Sequence, residues 1–274
     1  MKRSMYVLLT LAALLAAARA DAGPWTMLEG EAAVSLSRIN GEFDSYYNLD
    51  KKEHKLPGKV NTQDNILSLA YGVYEDWETE LRLTSFEYSS HFSGPGETQS
   101  GTGDGWLSVK RLFYRGPVDL AFKAGIKWPG SYEAGHVTSP GDGQADAELR
   151  LLAGRYWSRF YVSADLAYRF RDGPPPDEYE VFVDMGYSLS RLFSLRAFSR
   201  FVDASSGKGS IGDKGVVFTE TEEDILSVGG EVIIVPARDI SLSAQYVKTV
   251  DGRNTPIRSD IGFTLTYYID FLID

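Results

Sequence analysis

Residues 144–171 read QADAELRLLAGRYW, then SR, then FYVSADLAYRFR. In the first run Asp146, Glu148 and Arg150 alternate with Ala147, Leu149 and Leu151. After Ser158-Arg159 the period resumes, with Ser163, Asp165, Ala167, Arg169 and Arg171 on one face and Val162, Ala164, Leu166, Tyr168 and Phe170 on the other. A two-residue period is that of a β-strand, and two such runs joined by two residues predict a hairpin. Pairing Trp157 with Phe160 around the turn sets Glu148 opposite Arg169 and Asp146 opposite Arg171.

The same period recurs along the chain. Leu67, Leu69, Tyr71 and Val73 alternate with Ser68, Ala70, Gly72 and Tyr74, and Leu120, Phe122, Ala124 and Ile126 with Ala121, Lys123 and Gly125. Further runs near 28–37, 77–84, 178–189, 193–203, 223–235, 239–249 and 258–271, with a less regular one at 104–114, bring the count to about twelve. In that irregular run Lys110 and Arg111 are adjacent, which leaves its phase open. Connections after even-numbered runs are short, such as Glu75-Asp76, Arg115-Gly116-Pro117, Ser158-Arg159 and Pro236-Ala237-Arg238. Those after odd-numbered runs are longer, near 39–63, 89–103, 129–143, 172–177, 203–222 and 250–257. Short turns on one side and long loops on the other characterise outer-membrane barrels, whose strands need only about 9–11 residues to cross. All 11 prolines fall outside the runs or at their ends, as an unbroken ladder requires. The five tryptophans, Trp25, Trp77, Trp106, Trp128 and Trp157, lie near strand ends, where interfacial girdles sit. Tyr46-Tyr47 and Tyr88 read as members of the same girdle. The expected fold is therefore all-β: a transmembrane antiparallel up-and-down barrel of about twelve strands, with short periplasmic turns and long extracellular loops. A soluble sandwich or lipocalin-like barrel shares the alternation but points its apolar face inward.

The chain ends set the compartment. Lys2 and Arg3 precede an apolar run from Tyr6 to Ala18, and Ala18-Arg19-Ala20 is a small-residue cleavage site. Those are the regions of a secretory signal peptide. Residues 1–20 are read as that peptide, cleaved after Ala20, and 21–274 as the barrel domain of a bacterial outer-membrane protein. The last run ends in alternating Ile261, Phe263, Leu265, Tyr267, Ile269 and Phe271, the kind of terminal strand that barrel assembly machinery recognises, with Leu272-Ile273-Asp274 following the aromatic. Across its 274 residues the chain has no cysteine, three histidines and a net charge of −10. Zero cysteine removes disulfide scaffolds, thiolate metal sites and cysteine nucleophiles, and the acidic balance argues against nucleic acid. No cofactor and no metal are expected. His54, His91 and His136 fall in expected loops, which argues against an enzyme. Glu220-Thr221-Glu222-Glu223-Asp224 could hold a divalent cation but reads first as a solvated loop flank.

Four stretches carry a family likeness: Gly103-Asp104; Gly141-Asp142-Gly143-Gln144-Ala145-Asp146; Tyr168-Arg169-Phe170-Arg171; and Pro176-Asp177-Glu178. Through them the sequence resembles the MetA-pathway of phenol degradation family of outer-membrane barrels. The resemblance covers most of the chain after residue 20 and is strongest over 101–201. It implies an outer-membrane channel for aromatic or other small molecules, and carries over no catalytic residue.

The polar faces bear both signs of charge. In a narrow lumen such groups must pair, because an isolated charge there is costly to desolvate. If Asp172 pairs with Asp177 across their loop, Arg169 also falls opposite Glu180, and Arg171 opposite Glu178. The candidate site is then a lumen charge ladder of Glu148, Arg169 and Glu180 with Asp146, Arg171 and Glu178 beside it. It reads either as a constriction or as structural filling. Other residues expected to face the lumen are Glu80, Arg82, Lys123, Lys127, Arg150, Asp165, Arg196 and Arg200. Acidic loops at the mouth predict a mild cation preference. The expected function is passive passage of small solutes. The alternatives are a lumen-plugged barrel with a ligand-binding, lipid-binding or structural role, and a lipid-modifying outer-membrane enzyme. Expected partners are outer-membrane lipid and lipopolysaccharide, the assembly machinery, and a small solute.

Overall fold

A computed structural model describes residues 23–92, 96–172, 176–204 and 223–270. The expected signal peptide, the last four residues and Glu220-Thr221-Glu222 lie outside the described residues.

Alternation becomes twelve wall strands: β1 (Glu31–Tyr47), β2 (Glu53–Tyr74), β3 (Trp77–His91), β4 (Gly105–Tyr114), β5 (Asp119–Trp128), β6 (Asp146–Trp157), β7 (Phe160–Arg171), β8 (Glu178–Ser188), β9 (Phe193–Ala204), β10 (Asp224–Ala237), β11 (Ile240–Arg253) and β12 (Ser259–Asp270). Thr98–Thr102 extends β4 along the same neighbour, β3, and Thr255–Pro256 pairs with the end of β1. Each strand is antiparallel to its chain neighbours, and β12 closes the ring on β1 from Glu31↔Asp270 to Glu42↔Ser259. Closure leaves no sheet edge, which is the condition for strands to cross lipid.

The side-chain faces decide between membrane and soluble barrel. Large apolar groups point outward: Leu149 is 54% exposed, Leu166 53% and Phe263 57%. Glu78, Glu80, Lys110, Lys127, Glu148, Glu180 and Asp184 are buried inside. An apolar band around the whole circumference far exceeds the patches soluble monomers expose. No helix occurs among the described residues.

The structure corrects several expectations. The stretch 39–63 is mostly strand, paired from Ile39↔Asp64 to Tyr47↔Glu53 with one irregularity at Phe43/Ser45. Its outward positions Asn40, Glu42, Asn61 and Gln63 are polar, so the apolar alternation fades while the ladder continues. His54 and His91 consequently lie on β2 and β3, at their extracellular ends. In β4 the phase resolves without a bulge between the two basic residues. Lys110 and Leu112 face inward and Arg111 outward, with its guanidinium 5.0 Å over the Trp77 ring. Leu112 sets this phase by packing with Ala121 and Leu152. Trp128 and Trp157 remain on the outer face, but Trp25 and Trp106 do not. Tyr88 is likewise interior, 6% exposed, with its hydroxyl donating to Asp64 at 3.0 Å.

Candidate functional site in the barrel lumen

Antiparallel pairing lays the charged residues in rows. One row runs Glu80↔Ser108↔Gly125↔Glu148↔Arg169↔Glu178, from β3 to β8. The next runs Glu78↔Lys110↔Lys123↔Arg150↔Ala167↔Glu180. In the second row three bases stand side by side, an arrangement that is unfavourable by itself. Acids at the two ends of this row and in the adjacent rows relieve it. Lys110 Nζ lies 2.9 Å from Glu78, and Lys123 Nζ 2.5 Å from Glu80. Arg150 reaches Glu148 at 3.0 Å, Glu180 at 2.9 Å and Asp165 at 3.5 Å.

The hairpin β6–β7 has the register read from its two-residue turn, with Trp157↔Phe160, Glu148↔Arg169 and Asp146↔Arg171. Across β7–β8 the expected register is wrong by two residues: Arg169 stands opposite Glu178, and Glu180 opposite Ala167. Asp177 is the reason. Its carboxylate bonds back onto β7, accepting the Arg171 N–H at 2.9 Å and the Tyr168 hydroxyl at 2.7 Å. Those two bonds hold its carboxyl below the usual range. Arg169 therefore bridges Glu148, at 2.9 Å, and Glu178, and stays 3.9 Å from Glu180. Glu180 is held mainly by Arg150 and by Arg200, at 2.7 Å. Arg171 lies 2.7 Å from Glu178. Arg196 donates to Asp184 at 2.7 Å and Glu231 at 3.1 Å, and Arg82 to Glu80 at 3.2 Å.

Residues outside the strands complete the site. The 129–145 loop folds inward. Thr138 is fully buried, and Val137 packs on Phe43 and Val60. Tyr132 donates to Asp104 at 2.5 Å, and this bond with burial raises its phenol pKa. Lys127 gathers Asp142 at 2.7 Å, Asp146 at 2.8 Å and Asp104 at 3.3 Å. Asp104, Asp142 and Asp146 come from two of the four stretches that carry the family likeness, and Arg169, Arg171, Asp177 and Glu178 from the others. All of these except Asp177, which meets Tyr168 on the other face of the wall, join with Lys127 in one connected lumenal cluster, a grouping that strand periodicity alone could not reveal for the loop residue Asp142.

The periplasmic mouth is crossed by residues 23–28. Trp25 packs edge-on against Tyr156 and Tyr161, and its indole N–H donates to Asp119 at 2.8 Å. The Met27 N–H donates to Glu78 at 2.8 Å, and Met27 packs with Ala33 and Ala70. The strap therefore runs from β6 and β7 to β1 and β2, half-way round the ring. Two glycines make room for it: a Cβ on Gly154 would come within 2.7 Å of Pro24, and one on Gly72 within 2.0 Å of the Leu28 carbonyl oxygen. A tryptophan near a strand end looks the same in sequence whether it lies in a girdle or a mouth.

Between loop and strap lies a cavity of about 540 Å³, lined by Gly23, Glu80, Lys123, Arg150, Trp106 and Arg200 among others. A second, of about 480 Å³, lies above it and shares Asp142, Arg171 and Arg200. Among the described residues no group of three metal-ligating side chains comes together.

No family model and no curated protein matches the chain. Similarity to solved structures is extensive but remote in sequence. An outer membrane channel from Pseudomonas putida F1 superposes with a TM-score of 0.75 at 13% identity, covering 92% of this chain and 100% of that one. The translocator domain of the autotransporter NalP from Neisseria meningitidis gives 0.52 at 11% identity, covering 97% and 95%. The NanC porin gives 0.50 at 7% identity, covering 86% and 100%. The likeness to all three is one of fold: an outer-membrane β-barrel.

Proposed function

We propose that the protein is a bacterial outer-membrane channel for the passive passage of small solutes, and not an enzyme. The observation that carries this reading is the open space inside a closed barrel whose lumen is polar: the cavity of about 540 Å³ among the charged rows, room for many waters or a small solute. A purely structural barrel of this width has no need to keep such a space. The P. putida barrel is itself an outer membrane channel, and NanC a porin. The resemblance to the MetA-pathway family points the same way, toward aromatic or other small molecules. On this reading the ladder of Asp146, Glu148, Arg169, Arg171, Glu178 and Glu180, with Arg150 and Arg200, is the constriction. Lipopolysaccharide surrounds the wall, and assembly machinery inserts it. The histidines have separate partners: His136, at the upper cavity, sits 2.9 Å from Glu97, His54 3.1 Å from Asn48 and His91 3.4 Å from Asn61.

One observation favours a second reading. The strap of residues 23–28 lies across the periplasmic mouth, so a plugged, ligand-holding barrel shares the geometry. Purified protein in a planar bilayer separates the two. Discrete conductance steps support the channel, and a silent bilayer with correctly folded protein overturns it in favour of the plugged barrel.

A further inference from the structure

We propose that the central chamber binds small organic anions, a carboxylate-bearing molecule with a flat apolar body, with Lys123 and Arg200 holding the carboxylate. This rests on the channel reading and names its solute class. The first ground is an asymmetry of exposure within the ion pairs. The acids of the rows lie against the wall, with the Glu80 side chain 9% exposed, Glu148 9%, Glu178 6% and Glu180 8%. Arg150, Arg169 and Arg171 also lie near the wall, but the outer partners of Glu180 and Glu80 project into the space, Arg200 at 37% and Lys123 at 25%. A solute in the chamber meets cations first.

The second ground is stoichiometric. Each wall acid is shared: Glu80 between Arg82 and Lys123, Glu180 between Arg150 and Arg200. Among the charged side chains lining this chamber, bases outnumber acids. Asp104 and Asp142 are drawn to Lys127, and Asp165 to Arg150. An ammonium has three donors and a guanidinium five, so both keep donors beyond one carboxylate contact. The third ground is shape. Trp106 and Phe182 line the same chamber, and the Arg169 guanidinium lies 5.0 Å over the Trp106 ring. An aromatic wall beside projecting cations fits a ligand with a planar apolar body and an anionic end, and about 540 Å³ falls in the usual range for small-molecule pockets. The acidic loops act at the mouth, within a Debye length of about 8 Å, while the chamber's own charges act on a solute inside the barrel.

The test uses the full mature chain, with sodium benzoate as probe and benzyl alcohol as its neutral counterpart. Reversal potentials in a KCl gradient should show anion preference. Benzoate should reduce the current at concentrations about tenfold lower than benzyl alcohol, as one charge-assisted contact implies. Arg200→Gln and Lys123→Gln should each weaken the benzoate effect about tenfold. Glu180 keeps Arg150, and Glu80 keeps Arg82, so both variants should fold, checked by heat-modifiable electrophoretic mobility. Cation preference in the wild type, or benzoate titrations unchanged in both folded variants, would overturn the proposal. If the bilayer is silent, the channel reading fails by itself. Quenching of Trp106 fluorescence by benzoate, lost in Arg200→Gln, then decides the anion site separately, and no quenching by benzoate overturns it.

Discussion

The inner wall has two unlike sectors. From β3 to β9 it is lined by acids and bases in rows, paired mostly across adjacent strands and in places across two, as Lys123 is with Glu80 and Arg150 with Glu180. Across β11, β12, β1 and β2 the corresponding positions are small hydroxyls, in the row Ser241↔Thr266↔Ser35↔Ser68. There Ser35 and Thr266 share a hydrogen bond of 2.9 Å, as do Ser37 and Thr264. A hydroxyl occupies little volume and leaves no charge to satisfy, so this row constrains its neighbours weakly; charge returns on the same strands only nearer the long loops, where Arg258 meets Asp64 and Asp260. The same sector carries, on its lipid-facing side, a hollow of about 880 Å³ lined by Leu36, Leu67, Leu242 and Phe263 among others. The charged sector is the opposite case: every side chain depends on partners from other strands, so it orders the chamber it lines.

Mutations can break or sharpen this contrast. The largest effect is expected at Lys110, whose Nζ and its partner Glu78 are both deeply buried. Lys110→Met strands the Glu78 carboxylate and should cost about 3–5 kcal/mol in urea unfolding of detergent-folded protein. A cost below that of a hydroxyl deletion would erase the distinction between sectors. On the outer face the sectors should behave alike. Leu166→Arg and Leu265→Arg should each cost about 2–4 kcal/mol near mid-bilayer, measured in lipid vesicles. A difference exceeding that range would mean that the membrane does not wrap the ring evenly. In the hydroxyl sector, Thr266→Val removes one hydrogen bond and should cost about 1 kcal/mol in the same urea assay.

The strap spans both sectors, held by Trp25 on one side and Met27 on the other. Trp25→Gly should free the charged-sector end and raise single-channel conductance more than Met27→Ala does. Equal conductances would place the flow away from the strap. The smallest effect concerns pH. Burial raises the Glu223 carboxyl to about 7, against the opposing Thr255 hydrogen bond. Its folded pKa lies above its unfolded value, so its protonated form favours the fold, and that contribution is lost as pH rises toward and through about 7. The melting temperature of Glu223→Gln minus that of wild type should therefore grow from pH 5 to pH 8. A flat difference would remove Glu223 from the account.

Much of this architecture is legible in the chain alone. A two-residue period makes inside and outside alternate without reference to any distant residue, and short turns set the register of the hairpins that they join. That is why the strand count, the chamber-facing phase of Glu80, Lys123 and Arg150, and the Glu148–Arg169 pairing follow from residues 144–171 and their counterparts. Where a connection is long, register depends on how its side chains fold, and with Asp177 bonded back to Arg171 and Tyr168 β8 lies two residues from the expected register. Position along a strand does not tell whether a tryptophan meets lipid or lumen, so Trp25 and Trp106 had to be placed by the packing of Tyr156, Tyr161 and Arg169. Charge counts give the sum within the barrel but not which sign faces the space, because exposure depends on side-chain reach from a curved wall. Local periodicity determined the barrel; closure of the ring, the inward loop and the strap decided what its chamber presents.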